Sequence, residues 1–219
     1  AILKLKLCQY TKLYKQLLRI SHGWFDDFFV SLGVEILCMK SYIILLRGIN
    51  VSGQKKIKMA DLKNMLEELK FEAVQTYIQS GNIILNTNEN SCEVIEEKIS
   101  KNIFKTFGFE VPILALSTLD FEKIIKDSPF VRMEDSQKTN AYFVLLKNSP
   151  EAKLAQNLAS ETYPNETFSI TGNCVYLNCH KGYGNAKCNN NFFEKKLQIQ
   201  ATTRNYKTMM KLLQMAKEN

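Results

Sequence analysis

Histidine is nearly absent: His22 and His180 are the only two in 219 residues. That scarcity removes the ordinary Ser-His-Asp arrangement and any histidine-rich metal set, so no catalytic residue and no metal ligand is assigned. No Cys-x-x-Cys occurs among the six cysteines, at positions 8, 38, 92, 174, 179 and 188. A chain of this size does not need disulfides, and no secretory signal is evident, so reduced and mostly buried thiols are expected. Cys174 and Cys179 lie five apart on an expected strand. They therefore face opposite sides of the sheet, which argues against a shared metal site. No apolar stretch reaches the roughly 20 residues that a membrane-spanning helix requires. Gly-x-Gly-x-x-Gly and the Walker lysine spacing are also missing, so nucleotide binding is not specifically signalled and no cofactor is assigned.

What is present is an ordinary globular composition, 45% hydrophobic and 23% charged, which excludes disorder. The net charge of +7 is unevenly placed. Residues 141–219 carry ten basic and five acidic groups, whereas 39–140 carry fourteen of each. A basic face on the second half, meeting a phosphate-bearing small molecule or a nucleic acid, follows as an expectation. Residues 1–38 carry five basic and three acidic groups and begin at Ala1, while Met39-Lys40 directly precedes the first strong strand. They are read as an extension upstream of a start at Met39, with a basic amphipathic membrane anchor as the alternative.

From Ser41 onward the chain repeats itself. Tyr42-Ile-Ile-Leu-Leu-Arg47 recurs one hundred residues later as Tyr142-Phe-Val-Leu-Leu-Lys147, and Thr76-Tyr-Ile-Gln-Ser-Gly-Asn82 recurs ninety-one later as Thr167-Phe-Ser-Ile-Thr-Gly-Asn173. The apolar run 42–46 reads as a strand covered on both faces. A helix from about Ala60, strands at 74–79 and 83–87 around a Ser80-Gly81-Asn82 turn, and a helix over 92–107 capped by Asn90 and stopped by Gly108 follow. A strand over 111–116 and a helix capped by Ser117 close the first copy. The second copy has a strand over 141–146, a helix capped by Ser149 before Pro150, strands at 166–171 and 174–179, helices near 190–197 and 205–217, and a short strand over 198–203. The order β-α-β-β-α-β, twice, predicts an α+β fold of duplicated ferredoxin-like (split βαβ) units, 39–130 and 131–219. Their sheets would be antiparallel or mixed. Helices cover one face of such a sheet, so the second repeat is expected to cover the other.

Four polar clusters interrupt this scaffold. Arg47 leaves the first strand ahead of Asn50, offering a planar fork for phosphate or carboxylate. Gln79 and Asn82 sit at the first hairpin. A glycine-linked loop carries Tyr183 and Lys187, and Arg204 and Asn205 stand at the start of the last helix. These eight residues are the candidate ligand-binding set, with Arg47, Lys187 and Arg204 supplying charge and Asn50, Asn82, Tyr183 and Asn205 supplying orientation. A cleft between the repeats would gather them. Two other readings stand beside ligand binding. One is an enzyme acting on a small phosphorylated or nucleotide-like metabolite through Tyr183 or Lys187, and the other is a structural or partner-binding module.

Leu46-Arg-Gly-Ile-Asn-Val51, Thr76-Tyr-Ile-Gln-Ser-Gly-Asn82, Gly182-Tyr-Gly-Asn-Ala-Lys187 and Ala201-Thr-Thr-Arg-Asn205, in this order, closely resemble the bacterial family catalogued as domain of unknown function 1697. The resemblance covers about residues 40–217. It implies a cytoplasmic bacterial protein with a duplicated ferredoxin-like fold, and it implies no reaction. The chain departs from the family pattern at Ser52, Ala186 and Tyr206, where glycine, serine and tryptophan are usual. Loss of a hydroxyl at position 186 counts against catalysis through it.

Overall fold

The structure, a computed structural model, describes residues 39–51, 53–134 and 138–219. The readings of residues 1–38, with His22, Cys8 and Cys38, lie outside the described residues. The first unit runs β1 (Lys40–Leu46), α1 (Met59–Glu68), β2 (Glu72–Tyr77), β3 (Asn82–Thr87), α2 (Cys92–Phe107), β4 (Ile113–Ser117) and α3 (Thr118–Lys126). After a 3₁₀ turn at Pro129–Arg132, the second unit runs β5 (Ala141–Leu146), α4 (Ala152–Ala159), β6 (Glu166–Thr171), β7 (Cys174–Cys179), α5 (Asn190–Leu197), β8 (Ala201–Asn205) and α6 (Tyr206–Glu218). The sheets have strand orders β2-β3-β1-β4 and β6-β7-β5-β8, and every neighbouring pair is antiparallel. Two similar sheet units of this kind fit a duplication. They are purely antiparallel, because each hairpin returns the chain beside the strand that began the unit.

Three buried clusters stack in order. The outer face of the first sheet packs Ile44, Leu46 and Leu85 against Leu62 and Leu66 of α1 and Ile95, Ile99 and Ile103 of α2. The outer face of the second packs Val144 and Leu177 against Phe193 and Leu197 of α5. Between the sheets, Ile43, Leu45, Phe143 and Tyr176 meet Phe121 and Ile125 of α3 and Met209, Leu212, Leu213 and Ala216 of α6. The spacing i, i+3, i+4, i+7 on α6 gives it one apolar stripe, and each buried leucine contributes about 1.5–3 kcal/mol. The second faces of both sheets are thus covered jointly by the opposite sheet and by α3 and α6, a middle layer the β-α-β-β-α-β order does not contain. Cys174 faces this middle layer and Cys179 the outer one, as their parity requires. Among the described residues the cysteines are unbridged, and no cluster could hold a metal ion. No described helix is long and apolar enough to cross a membrane.

Several local expectations move. Ser91, rather than Asn90, caps α2 by accepting from the Val94 amide at 3.2 Å, while Asn90 Oδ1 receives Lys40 Nζ at 2.8 Å. Helix α4 starts beyond an extended Glu151 and has no side-chain cap, so Ser149-Pro150 belongs to the preceding turn. Gln198 takes a left-handed conformation that stops α5, which shifts the last strand to Ala201–Asn205. The hairpins also differ. Tyr77 pairs with Asn82 around four turn residues, whereas Thr171 pairs with Cys174 around two. Leu45 pairs with Asn82 and Leu145 with Cys174, so the residue matching Asn82 is Cys174. The Gly-Asn identity at an offset of ninety-one is one residue out of register. In place of a core thiol the first sheet buries an amide, and that amide needs a partner.

Candidate functional site

The longer first hairpin, the β1–α1 loop, the end of β8 and the loop before α5 surround a cleft of about 510 Å³. Arg47, Ile78, Ser80, Tyr183, Arg204 and Asn205 all line it, so all four polar clusters reach one place. Among the described lining residues there are two arginines and no carboxylate.

Arg204 is the anchor of this site. It projects from β8 at the register position that Leu116 occupies on β4, opposite Phe143 where Leu116 is opposite Ile43. Its Nε donates to Asn82 Oδ1 at 2.5 Å, its Nη1 to Thr202 Oγ1 and the Thr203 carbonyl, and its Nη2 to the carbonyls of Leu46 at 2.8 Å and Ser80 at 3.1 Å. A guanidinium has five N–H groups, and all five are used. The acceptors are neutral, and among the described residues no carboxylate pairs with it. Burial pushes its pKa down to about 10, so the charge persists at neutral pH. Arg204 therefore ties the second unit to the first and leaves an uncompensated positive charge against the cleft.

Arg47 is placed differently. Its guanidinium pairs with Glu194 and donates to Asn191 Oδ1 at 2.7 Å, both on α5. These contacts occupy two of its five N–H groups. Across the molecule, Lys147 at the end of β5 pairs with Glu96 on α2. Each unit thus sends the cation after its first strand to a glutamate on the second helix of the other. Glu194 and Glu96 also accept backbone amides, from Ala201 and Ala115, both at 2.8 Å. The groove beside Lys147, about 680 Å³, contains Glu93, Glu96, Glu97 and Glu110. Related positions have diverged into an acidic groove and a cleft without lining carboxylates.

The other sequence-selected residues divide. Asn50, with φ 55°, donates to the Ile57 and Gln79 carbonyls and accepts from the Ile57 amide, pinning the β1–α1 loop to the hairpin. Gln79 contributes that carbonyl and does not line the cleft. Asn82 is fully buried, and its Nδ2 donates to the Tyr77 carbonyl while its oxygen holds Arg204. Asn205 caps α6, accepting from the Thr208 amide at 2.8 Å. Lys187 does not join the cleft: its amide binds Glu166 and its Nζ stands 5.4 Å from the Tyr163 ring centre.

Sequence reasoning missed three contributors. Tyr142 packs against Tyr183 with ring centres 4.8 Å apart and planes tilted by 32°, and burial raises the pKa of its phenol. Asn190 accepts from Thr203 Oγ1 at 2.9 Å, while its buried Nδ2 has no partner. The first turns of α5 and α6 both open at the cleft, through Asn190 and through Asn205 and Thr208. Helix N-termini carry unpaired amides and partial positive charge. The expected α5 start near 190 was the one available signal.

Together these features define an α+β protein of two similar sheet units with a polar cleft at their junction. The chain belongs to the family described as Protein of unknown function (DUF1697), whose model matches residues 39–176. Tyr183, Lys187, Arg204 and Asn205 lie past that match. A solved structure of the conserved bacterial protein SP0830 from Streptococcus pneumoniae shares the fold at a TM-score of 0.60 and 24% identity, over 82% of this chain and 99% of its own. No curated protein matches the chain.

Proposed function

We propose that the protein binds a small phosphate-bearing anion in the cleft between its two units. The uncompensated charge of Arg204 carries this reading. Cations withdrawn from water are ordinarily paired or neutralised, and this partly buried one is held by five neutral oxygens beside open space. The free N–H groups of Arg47 would contact the ligand directly, and the partial positive charge at the starts of α5 and α6 would favour it. Arg204 would act through its field, and Asn50 and Asn82 through holding the walls. A nucleic acid fits less well, because its backbone needs a charged track and no lysine lines the cleft. Proton transfer by Lys187 is disfavoured by its position over Tyr163.

Calorimetric titration with inorganic pyrophosphate tests the reading. Saturable binding that weakens with salt is expected, and Arg47→Gln should lower affinity about 10- to 100-fold, the scale of a charge-assisted hydrogen bond. The Arg47–Glu194 pair is partly exposed, so this variant should lose only about 1 kcal/mol of stability. Equal affinity in the variant would overturn the assignment. Binding of a random oligonucleotide but not of pyrophosphate would transfer the function to nucleic acid.

A further inference from the structure

We infer that the ligand carries a flat heteroaromatic ring beside its phosphate, and so is of the nucleoside monophosphate class. This rests on the anion-binding reading of the same cleft and adds what its other wall recognises. Three features point to a ring, two of them at Ile78. First, Tyr142 and Tyr183 form a close pair with planes tilted by 32°, and both line the cleft. Second, the facing hairpin and the β1–α1 loop bring Ile78 and Val51 to the same cleft, although they are 50% and 59% exposed. Third, Ile78 has φ 51°, a left-handed conformation that is an outlier for a β-branched side chain. Such strain persists where the surroundings impose it, and it concentrates at ligand clamps. Glycine or asparagine would relieve it; isoleucine instead supplies an apolar surface to the cleft that the tyrosines also line.

The polar complement is present as well. The unpartnered Asn190 Nδ2 lies on a cleft residue whose backbone amide is already bound to the Tyr183 hydroxyl at 2.9 Å. A ring carbonyl or ring nitrogen is the kind of acceptor such an amide lacks. A volume of about 510 Å³ accommodates a nucleoside monophosphate, within the roughly 300–1,000 Å³ of small-molecule sites.

The experiment compares the four common nucleoside monophosphates, ribose 5-phosphate and pyrophosphate by calorimetry on the wild-type chain and on Tyr183→Leu and Tyr183→Phe. At least one nucleoside monophosphate should bind about tenfold more tightly than ribose 5-phosphate, the advantage that base stacking on one aromatic ring confers. Tyr183→Phe should retain that advantage and Tyr183→Leu should abolish it, each read as the ratio to ribose 5-phosphate in the same variant. If all four nucleotides bind no better than ribose 5-phosphate, the ring is refuted while anion binding stands. If neither the phosphates nor pyrophosphate bind, the anion-binding reading fails with it.

Discussion

Arg204→Leu is expected to cost about 2–4 kcal/mol of unfolding free energy, the scale for leaving several buried acceptors unsatisfied. Against a typical total of about 5–15 kcal/mol, that is a large fraction of the stability. Leucine is what the first unit carries at the matching register position, Leu116, so size and strand propensity favour the replacement. The loss arises instead from the acceptors left behind. Asn82, Leu46 and Thr202 are buried, and Arg204 satisfies the oxygen of each. Replacing both partners should therefore recover part of the loss. Asn82→Cys installs the residue of the second unit, and its cost in the Arg204→Leu background should be smaller than in wild type by about 1–3 kcal/mol. Urea denaturation of the four species measures this coupling. Additive costs, or an Arg204→Leu loss below about 1 kcal/mol, would show that the guanidinium does not hold the units together.

Gly81→Ala should cost about 2–4 kcal/mol, combining a left-handed backbone penalty with overpacking. Gly81 has φ +72°, and a Cβ there would stand 2.5 Å from Leu46 Cβ and 2.9 Å from Ile49 Cδ1. Leu46 Cβ belongs to the central strand, and the Leu46 amide donates to the Gly81 carbonyl at 2.7 Å, so neither side can yield alone. The second hairpin provides an internal control. Gly172 has φ +57° with nothing within 4 Å of a built Cβ, so Gly172→Ala should lose about 1–2 kcal/mol from conformation alone. The difference between the two melting shifts isolates the close approach of hairpin and strand that shapes the cleft wall. Equal losses would mean that this approach is unimportant.

The scaffold was legible because its signals are local and repeated. The strands 166–171 and 174–179, the helix over 92–107 with Gly108 behind it, and the buried runs of β1 and β5 all follow from periodicity and punctuation. The middle layer was not, because the apolar stripes of α3 and α6 announce burial without saying against what. The register of the first hairpin was misread through Gly81-Asn82 and Gly172-Asn173, whose identity hides two turns of different length. For the site, the four polar clusters were visible, and four of the eight candidate residues, Arg47, Tyr183, Arg204 and Asn205, line one cleft. Lys187 carried the same charge signal but follows a turn that sends it to Tyr163. The division of labour between the two arginines was invisible as well. Only the count of occupied N–H groups separates Arg204, fully used within the protein, from Arg47.

Location of the bound anion tests the cleft most directly. Two-dimensional amide spectra recorded during a pyrophosphate titration should shift saturably at the Arg47 side chain and at the first-turn amides of α5 and α6. Tyr183 and Asn190 should respond and the acidic groove at Glu96 should not. Shifts centred on surface lysines away from the cleft, such as Lys153 and Lys195, or the absence of any saturable shift, would contradict an anion site between the two units.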